Sequence, residues 1–417
     1  MKRLTALLVF LMLAVMVAGG CGGSSDGGSA IFSGGSGTAE DPYRIANAAN
    51  LLAFAASVND GTRDGYSGRH VRLISDIDLK GVEWTPIGNM NDYEKQSTFF
   101  RGTFDGGGHT ISNLTFETDS FIVGAGLFGV NSGTIRNLNV ADSLVHVTHV
   151  AEPEKKSTAI GGVVGYNMGT VENVALSGNS SILGNNCVGG VIGGNEYGTV
   201  SNCRAEGAVV ELIGDNSFPD RIIQCDIAMV GGLIIGGGFG GTIDGCSASG
   251  TVKASGREPV GMGGIGGCLE MMDSITNCTA DVTISAANGG HAIGGLCGYS
   301  GTHPDKARFS VSSYPAVIDG CSVKIDIDAK DATHVGGLVG TGLYYYGKET
   351  AFKITNCSVS GTIDGAVTPG TILGRSNADS SYDEATRANV KVLIDGKGSG
   401  AEVGTTDRMY ESADQDE

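Results

Sequence analysis

Charge, proline and tryptophan are all scarce in this chain, and each shortage removes a class of protein. Charged residues make up 17%, too few for a polyampholyte, while 41% apolar residues can bury a core. Pro counts only 8 against 70 Gly in 417 residues, so the glycine excess is not the Pro-Gly composition of a disordered chain. A single Trp among many Val, Ile and Thr suits a β-rich repeat with tight turns. Basic residues are short as well. Twenty-seven Lys and Arg against 45 Asp and Glu give a formal charge of −18, which argues against nucleic acid or an anionic lipid surface as partner and favours solubility.

Long apolar runs are missing except at the start. MKRLTALLVFLMLAVMVAGGC sets Lys2 and Arg3 before an apolar run from Leu4 to Val17 and then small residues. The run is too short to span a bilayer comfortably and has the flanks of a secretory signal. Cys21 after Ala18-Gly19-Gly20 resembles a bacterial lipobox, whose cysteine is acylated and becomes the new N-terminus. The usual Leu three positions before the cysteine is Ala18 here, so a plain signal-peptidase cut stands as the alternative. GGSSDGGSAIFSGGSG then reads as a flexible tether. The expectation is an exported protein, held to the membrane only through a lipid at Cys21.

What the chain has in abundance is one pattern. A glycine anchor recurs as GAGLFG (124–129), IGGVVG (160–165), VGGVIG (188–193), VGGLII (230–235), MGGIGG (262–267), IGGLCG (293–298) and VGGLVG (335–340), with a worn GTILG at 370–374. Successive anchors lie 28 to 42 residues apart, the period of a stacked repeat. A second anchor reads TISNL (110–114), TIRNL, TVENV, TVSNC, TIDGC, SITNC, VIDGC and KITNC (353–357). In TISNL, Ile111 and Leu114 are three apart, so strand alternation puts them on opposite faces unless the chain bends between them. The bend falls on Asn113, Asn137, Asn173, Asn202, Gly245, Asn277, Gly320 and Asn356, the residue types that enter the left-handed region most readily. The pattern predicts corners with stacked Asn side chains, followed by inward apolar residues. In the glycine anchor, Val191 and Ile192 are adjacent and cannot both face inward on a straight strand, and a bulge is one way out.

On these residues the chain resembles the bacterial surface proteins with GLUG repeats, whose Gly-Leu-x-Gly core appears as GGLVG at 336–340. GTAEDPYRIANAANLLAFAASVN, HVRLISDIDL, EWTPIG and FRGTFDGGGHTISNL match the usual lead-in of that family, and the likeness covers about residues 37–375. It implies an all-β, right-handed parallel β-helix (β-solenoid) acting as a scaffold. Some relatives are surface proteases, but no HExxH motif occurs here. Residues 47–58 place Leu51, Leu52, Phe54, Ala55 and Val58 on one helical face behind Asn47 as N-cap, a plug for the open end. Residues 70–79 would give the first strand and 389–395 the last. About ten coils at roughly 4.8 Å each make a rod on the order of 50 Å. The layout is a signal at 1–20, a tether at 21–36, cap and first coils at 37–118, repeats at 119–375, and a cap strand with an acidic tail at 376–417.

With Cys21 acylated, nine cysteines remain, so full internal pairing is impossible. Cys203, Cys246, Cys278, Cys321 and Cys357 share one repeat position and lack zinc-site spacing; they read as buried thiols, with any bridges among Cys187, Cys225, Cys268 and Cys297. No cofactor or metal is expected. Asp76 and Asp78, two apart on a strand, with Asp105 in the next turn, are weak catalytic candidates for a polysaccharide lyase or hydrolase, against turn-capping roles. His146 and His149 lack matching acidic ligands. Two consecutive late repeats carry insertions, 301–315 and 341–350, that should emerge side by side. They bring His303, Lys306, Arg308, Phe309, Tyr314, Tyr344, Tyr345, Tyr346 and Lys348 together, a set suited to sugars or an acidic glycan, unless the rings only pack on each other. The function expected is an adhesin-like or glycan-binding module whose partner is a glycan or a host or cell-surface protein. A β-helix enzyme and a passive envelope scaffold are the rivals.

Overall fold

Successive repeats stack as parallel strands in the computed structural model, which describes residues 31–90, 98–149, 158–214, 229–256, 259–305, 314–342, 344–345, 348–376, 379–398 and 400–404. Thr134–Ala141 pairs in register with Thr170–Ser177, which pairs with Thr199–Ser201 and Arg204–Leu212. The series runs on through Ser247–Ala254, Thr279–Ala286, Ser322–Asp328 and Ser358–Asp364 to Val390–Ile394. The two halves of the glycine anchor form two further sheets of seven parallel strands each. Single bridges carry the second of these down to Ile87 and up through Leu373 to Val403. The fold is a parallel β-helix.

The corners follow the left-handed preference read from Asn and Gly. All eight corner residues from Asn113 to Asn356 have φ between 51° and 66°. The next residue, from Leu114 to Cys357, is at most 1% exposed in every case. One bend thus brings Ile135 and Leu138, three apart, into the same core. The side-chain ladder is less continuous than the pattern predicts. The Asn173 amide donates to Asn137 Oδ1 at 2.8 Å. At four other corners the acceptor is an aspartate one coil below: Asp78 for Asn113, Asp105 for Asn137, Asp244 for Asn277 and Asp319 for Asn356. Where the corner is Gly245 or Gly320, the preceding Asp supplies the oxygen that the missing side chain cannot.

Three expectations change in the structure. TISNL does not stack under TIRNL: Thr103–Asp105 lies below Thr134–Arg136, and Thr110–Ser112 lies below Asn139–Ala141. TFDGG therefore holds the first corner of its coil and TISNL the second. The first strand is Tyr43–Ile45, ahead of the helix, and it pairs with His70–Leu73. The helix itself spans Ala48–Asn59, with the Asn47 side chain accepting from Asn50 N. Leu51, Phe54, Ala55 and Val58 are buried, while Leu52 is only half-buried. The glycine anchor bends as well, since Cys187–Gly189 ends and Ile192–Glu196 begins on either side of Gly190-Val191. Val191 and Ile192 are both fully buried because the bend, not a bulge, lies between the strands. The two glycine-anchor sheets come so close that a Cβ on Gly189 would sit 1.8 Å from Ile192 O, and one on Gly193 2.2 Å from Ile160 N of the preceding coil. Only glycine permits that approach.

Cys203, Cys246, Cys278, Cys321 and Cys357 line one wall of the core as free, buried thiols. Contact with the thiol of the coil below, together with burial, pushes Cys321 up to about 12, so it is inert as a nucleophile. Cys297 is a free, buried thiol and Cys187 is buried, whereas Cys268 is disulfide-bonded.

Candidate functional site

The two coils whose loops break the period are neighbours. Cys297–Gly301 pairs with Val339–Thr341, and each strand runs straight into its loop. The loop bases are tied together: Thr302 N donates to Ala351 O and Ala351 N donates to Thr302 O, both at 2.9 Å. Ala316 N adds a third bond to the same Ala351 carbonyl at 3.0 Å. Tyr344–Tyr345 then pairs antiparallel with Lys348–Glu349, Tyr345 opposite Lys348. Among the described residues this is the one named strand pair that departs from parallel order.

The predicted ligand-contacting residues divide into four groups. His303 is buried at 3% exposure, which corrects the expectation that it is displayed. Its Nδ1 accepts from Asp305 N at 3.0 Å, and its own N–H reaches Met271 Sδ, so it builds the loop base. Tyr314 is half-buried and donates its hydroxyl to Asp379 at 2.5 Å. Burial and the Asp379 carboxylate push its ionisation up to about 12. Tyr344, Tyr345 and Lys348 lie on the hairpin. Lys306, Arg308, Phe309 and Tyr346, like Cys21, lie outside the described residues.

The acidic candidates are spent on turns. Asp76 accepts from Thr110 N and from the His109 ring, and Asp78 from the Asn113 side chain and Lys80 N. For Asp105, burial pushes the carboxyl up, but the Gly107 N–H, the Asn137 amide and Arg136 outweigh it. All three are held below the ordinary carboxylate range, the opposite of what a general acid needs. His146 bonds to Ser181 Oγ at 2.9 Å, and the His149 ring packs on Phe121. Among the described residues, no group of three or more His, Cys, Asp or Glu side chains is placed to hold a metal ion.

Two features escape a reading by repeat alignment. Asn131, Asn167 and Asn195 form a second ladder, buried, with amide-to-carbonyl bonds of 2.7 Å from coil to coil. NSGT, NMGT and NEYGT were its signal, just ahead of the second anchor. The other feature is a groove of about 420 Å³ on the outer face of the late coils. Its lining includes Thr279, Asp281, Ser322, Lys324, Ser360 and Lys391. Alternation in TADVTISA and SVKIDID points these residues outward, but only the register stacks them into one surface.

A family model described as the GLUG motif matches residues 184–210 and 331–364. These are the stretches holding VGGVIG with TVSNC and VGGLVG with KITNC. The chain carries GLUG repeats. A halomucin from Haloquadratum walsbyi is 34% identical over 175 residues, covering 40% of this chain and 2% of that protein. A candidate Gly-rich membrane protein from Evansella cellulosilytica is 30% identical over 185 residues, covering 42% and 19%. The chain thus spans a small part of the length of the relatives it matches. Among solved structures, a candidate immunoglobulin A1 protease from Bacteroides ovatus aligns with TM-score 0.51 and 21% identity, over 75% of this chain and 88% of that one; this shows a shared fold. Among the described residues, no helix is long and apolar enough to cross a membrane. The GLUG coils supply the rigid frame, and the tied loops at Thr302 and Ala351 break its regularity.

Proposed function

We propose that this GLUG-repeat β-solenoid is an exported surface protein, anchored by a lipid on Cys21, that binds glycans through its late-coil loops. The observation that carries the reading is the double hydrogen bond between Thr302 and Ala351. It fuses two insertions at their base and sets the Tyr344–Tyr345 hairpin on a fixed platform. Tyrosines in strand register with a lysine bring residue types suited to sugar rings and their hydroxyls onto one strand pair. Relatives named as a halomucin and a membrane protein support a surface location. A β-helix lyase or hydrolase is disfavoured because Asp76, Asp78 and Asp105 are each committed to a turn.

The test mixes soluble residues 22–417 with a panel of host and bacterial glycans, followed by size-exclusion chromatography. Co-elution with intact glycan is expected, and it should vanish when Tyr344, Tyr345 and Tyr346 become Ala. Shortened glycan would replace the binding reading with an enzymatic one. For the anchor, the full-length protein should incorporate labelled palmitate in a bacterial host, and Cys21→Ala should abolish it. Label retained by that variant would rule out acylation at this cysteine.

A further inference from the structure

The last coil differs from those below it at one corner, and the difference makes a second surface. Where the coils below carry an Asn or Gly corner followed by an apolar residue, this one carries the short helix Glu384–Ala388, capped by Asp383 and ending at Asn389. Thr386 Oγ1 accepts from Cys357 N, and Asn389 O accepts from Val359 N, so the helix is fastened onto the coil below. Asn389 thereby becomes part of the groove wall. The floor is a set of outward positions in register: Asp281, Lys324, Ser360 and Lys391 form one column, and Thr279, Ser322 and Ser358 lie beside it.

The chemistry of this floor is unlike the rest of the chain. The protein is acidic overall, yet the groove holds two lysines and one carboxylate. Lys324 is tied to Asp281 at 3.0 Å. Lys391 has no ion pair among the described residues. The two ammonium groups project from strands two coils apart, roughly 9–10 Å by strand spacing, on the order of a disaccharide repeat. Between and beside them are hydroxyls, with Ser358 Oγ bonded to Ser322 Oγ at 2.8 Å. Asp326, Asp328 and Asp364 lie further along the same strands and repel an anion from that side, which confines it to the lysine column. Among the described residues no aromatic ring lines the groove, so recognition there rests on charge and hydroxyl bonding rather than stacking.

We propose that this groove binds a segment of anionic polysaccharide, with carboxylate or sulfate groups on Lys324 and Lys391 and sugar hydroxyls on the Ser/Thr floor. The inference rests on the reading of the chain as a glycan-binding protein, but not on its loops. The test is affinity electrophoresis of residues 22–417 at low salt through polygalacturonate, dextran sulfate or uncharged dextran. Retardation is expected in at least one anionic matrix and not in dextran, with carboxylate and sulfate told apart by which matrix works. Lys324→Glu with Lys391→Glu should weaken it at least tenfold, and rising salt should weaken the wild type. Arg204→Glu with Lys253→Glu, on the same sheet outside the groove, should leave it intact. No retardation in either anionic matrix overturns the proposal, as does equal loss in both pairs of variants. Loss on changing Tyr344 and Tyr345 alone would also overturn it while leaving the loop reading in place.

Discussion

The first coils and the late coils solve the same packing problem with different side chains. At the N-terminal end the core is a continuous set of rings: Phe32 stacks on Tyr43 at 4.4 Å, and Phe54 meets Tyr66, Phe100 and Phe104 at 5.1 to 6.0 Å. Phe128 closes the set against Phe100 and Phe104. In the later coils the Phe104 column continues as Ile135, Val171, Val200, Ile243, Ile275, Ile318 and Ile354, and buried thiols from Cys203 to Cys357 fill the position after each corner. A middle coil has neighbours above and below, so small residues in register suffice to fill it. An end coil has a neighbour on one side only, and large rings from the helix and its flanking strands must replace the missing layer.

That contrast gives the largest effect expected from a single substitution. Phe54→Ala should cost about 3–5 kcal/mol, the range for losing a buried ring and leaving a cavity. Cys278→Ala, fully buried in a regular coil, should cost about 1 kcal/mol, since it removes one small apolar atom. Urea denaturation of the two variants reads the difference. Equal costs would mean that the cap is no more dependent on its rings than a coil is on its thiols.

The corners were legible from sequence because they depend on one residue's backbone preference, and Asn or Gly at each of the eight positions announces it. Asp244 and Asp319 were not legible as ladder members. Their role depends on Asn277 and Asn356 one coil away, a contact that no single repeat contains. The lead-in misled for a related reason. TISNL looks like a first corner, but the glycines at 106–108 had already turned the chain, so the motif fell on the second corner. The loop site was legible as to which coils carry insertions, because stacking makes consecutive repeats neighbours. His303 was not, since a histidine beside a loop gives no sign of whether it faces solvent or holds the base. The groove is a product of register across four strands and of the Glu384–Ala388 helix, and neither shows in a period.

One column of the solenoid sharpens the comparison further. Glu196, Phe239, Glu270 and Gly301 are register partners on successive coils. Glu196 is half-buried and accepts the Tyr166 hydroxyl at 2.5 Å. Glu270, two coils later, is 2% exposed, and its Oε1 has no hydrogen-bond partner among the described residues. Burial alone pushes its carboxyl well above the ordinary range. The folded state therefore holds a proton that the unfolded chain releases near pH 4.3. Stability contributed by the protonated form is complete below that value and is lost as pH rises toward the folded-state value. Glu270→Gln keeps the shape and removes the charging step. Its stability relative to wild type should rise between pH 5 and pH 8, by about 1.4 kcal/mol for each pH unit over which Glu270 stays protonated in the fold and ionised in the unfolded chain. The measurement is urea denaturation of both proteins at both pH values. A Glu270→Gln gap that stays constant with pH would show that this carboxyl does not titrate on unfolding, and that the late coils carry no buried charge to release.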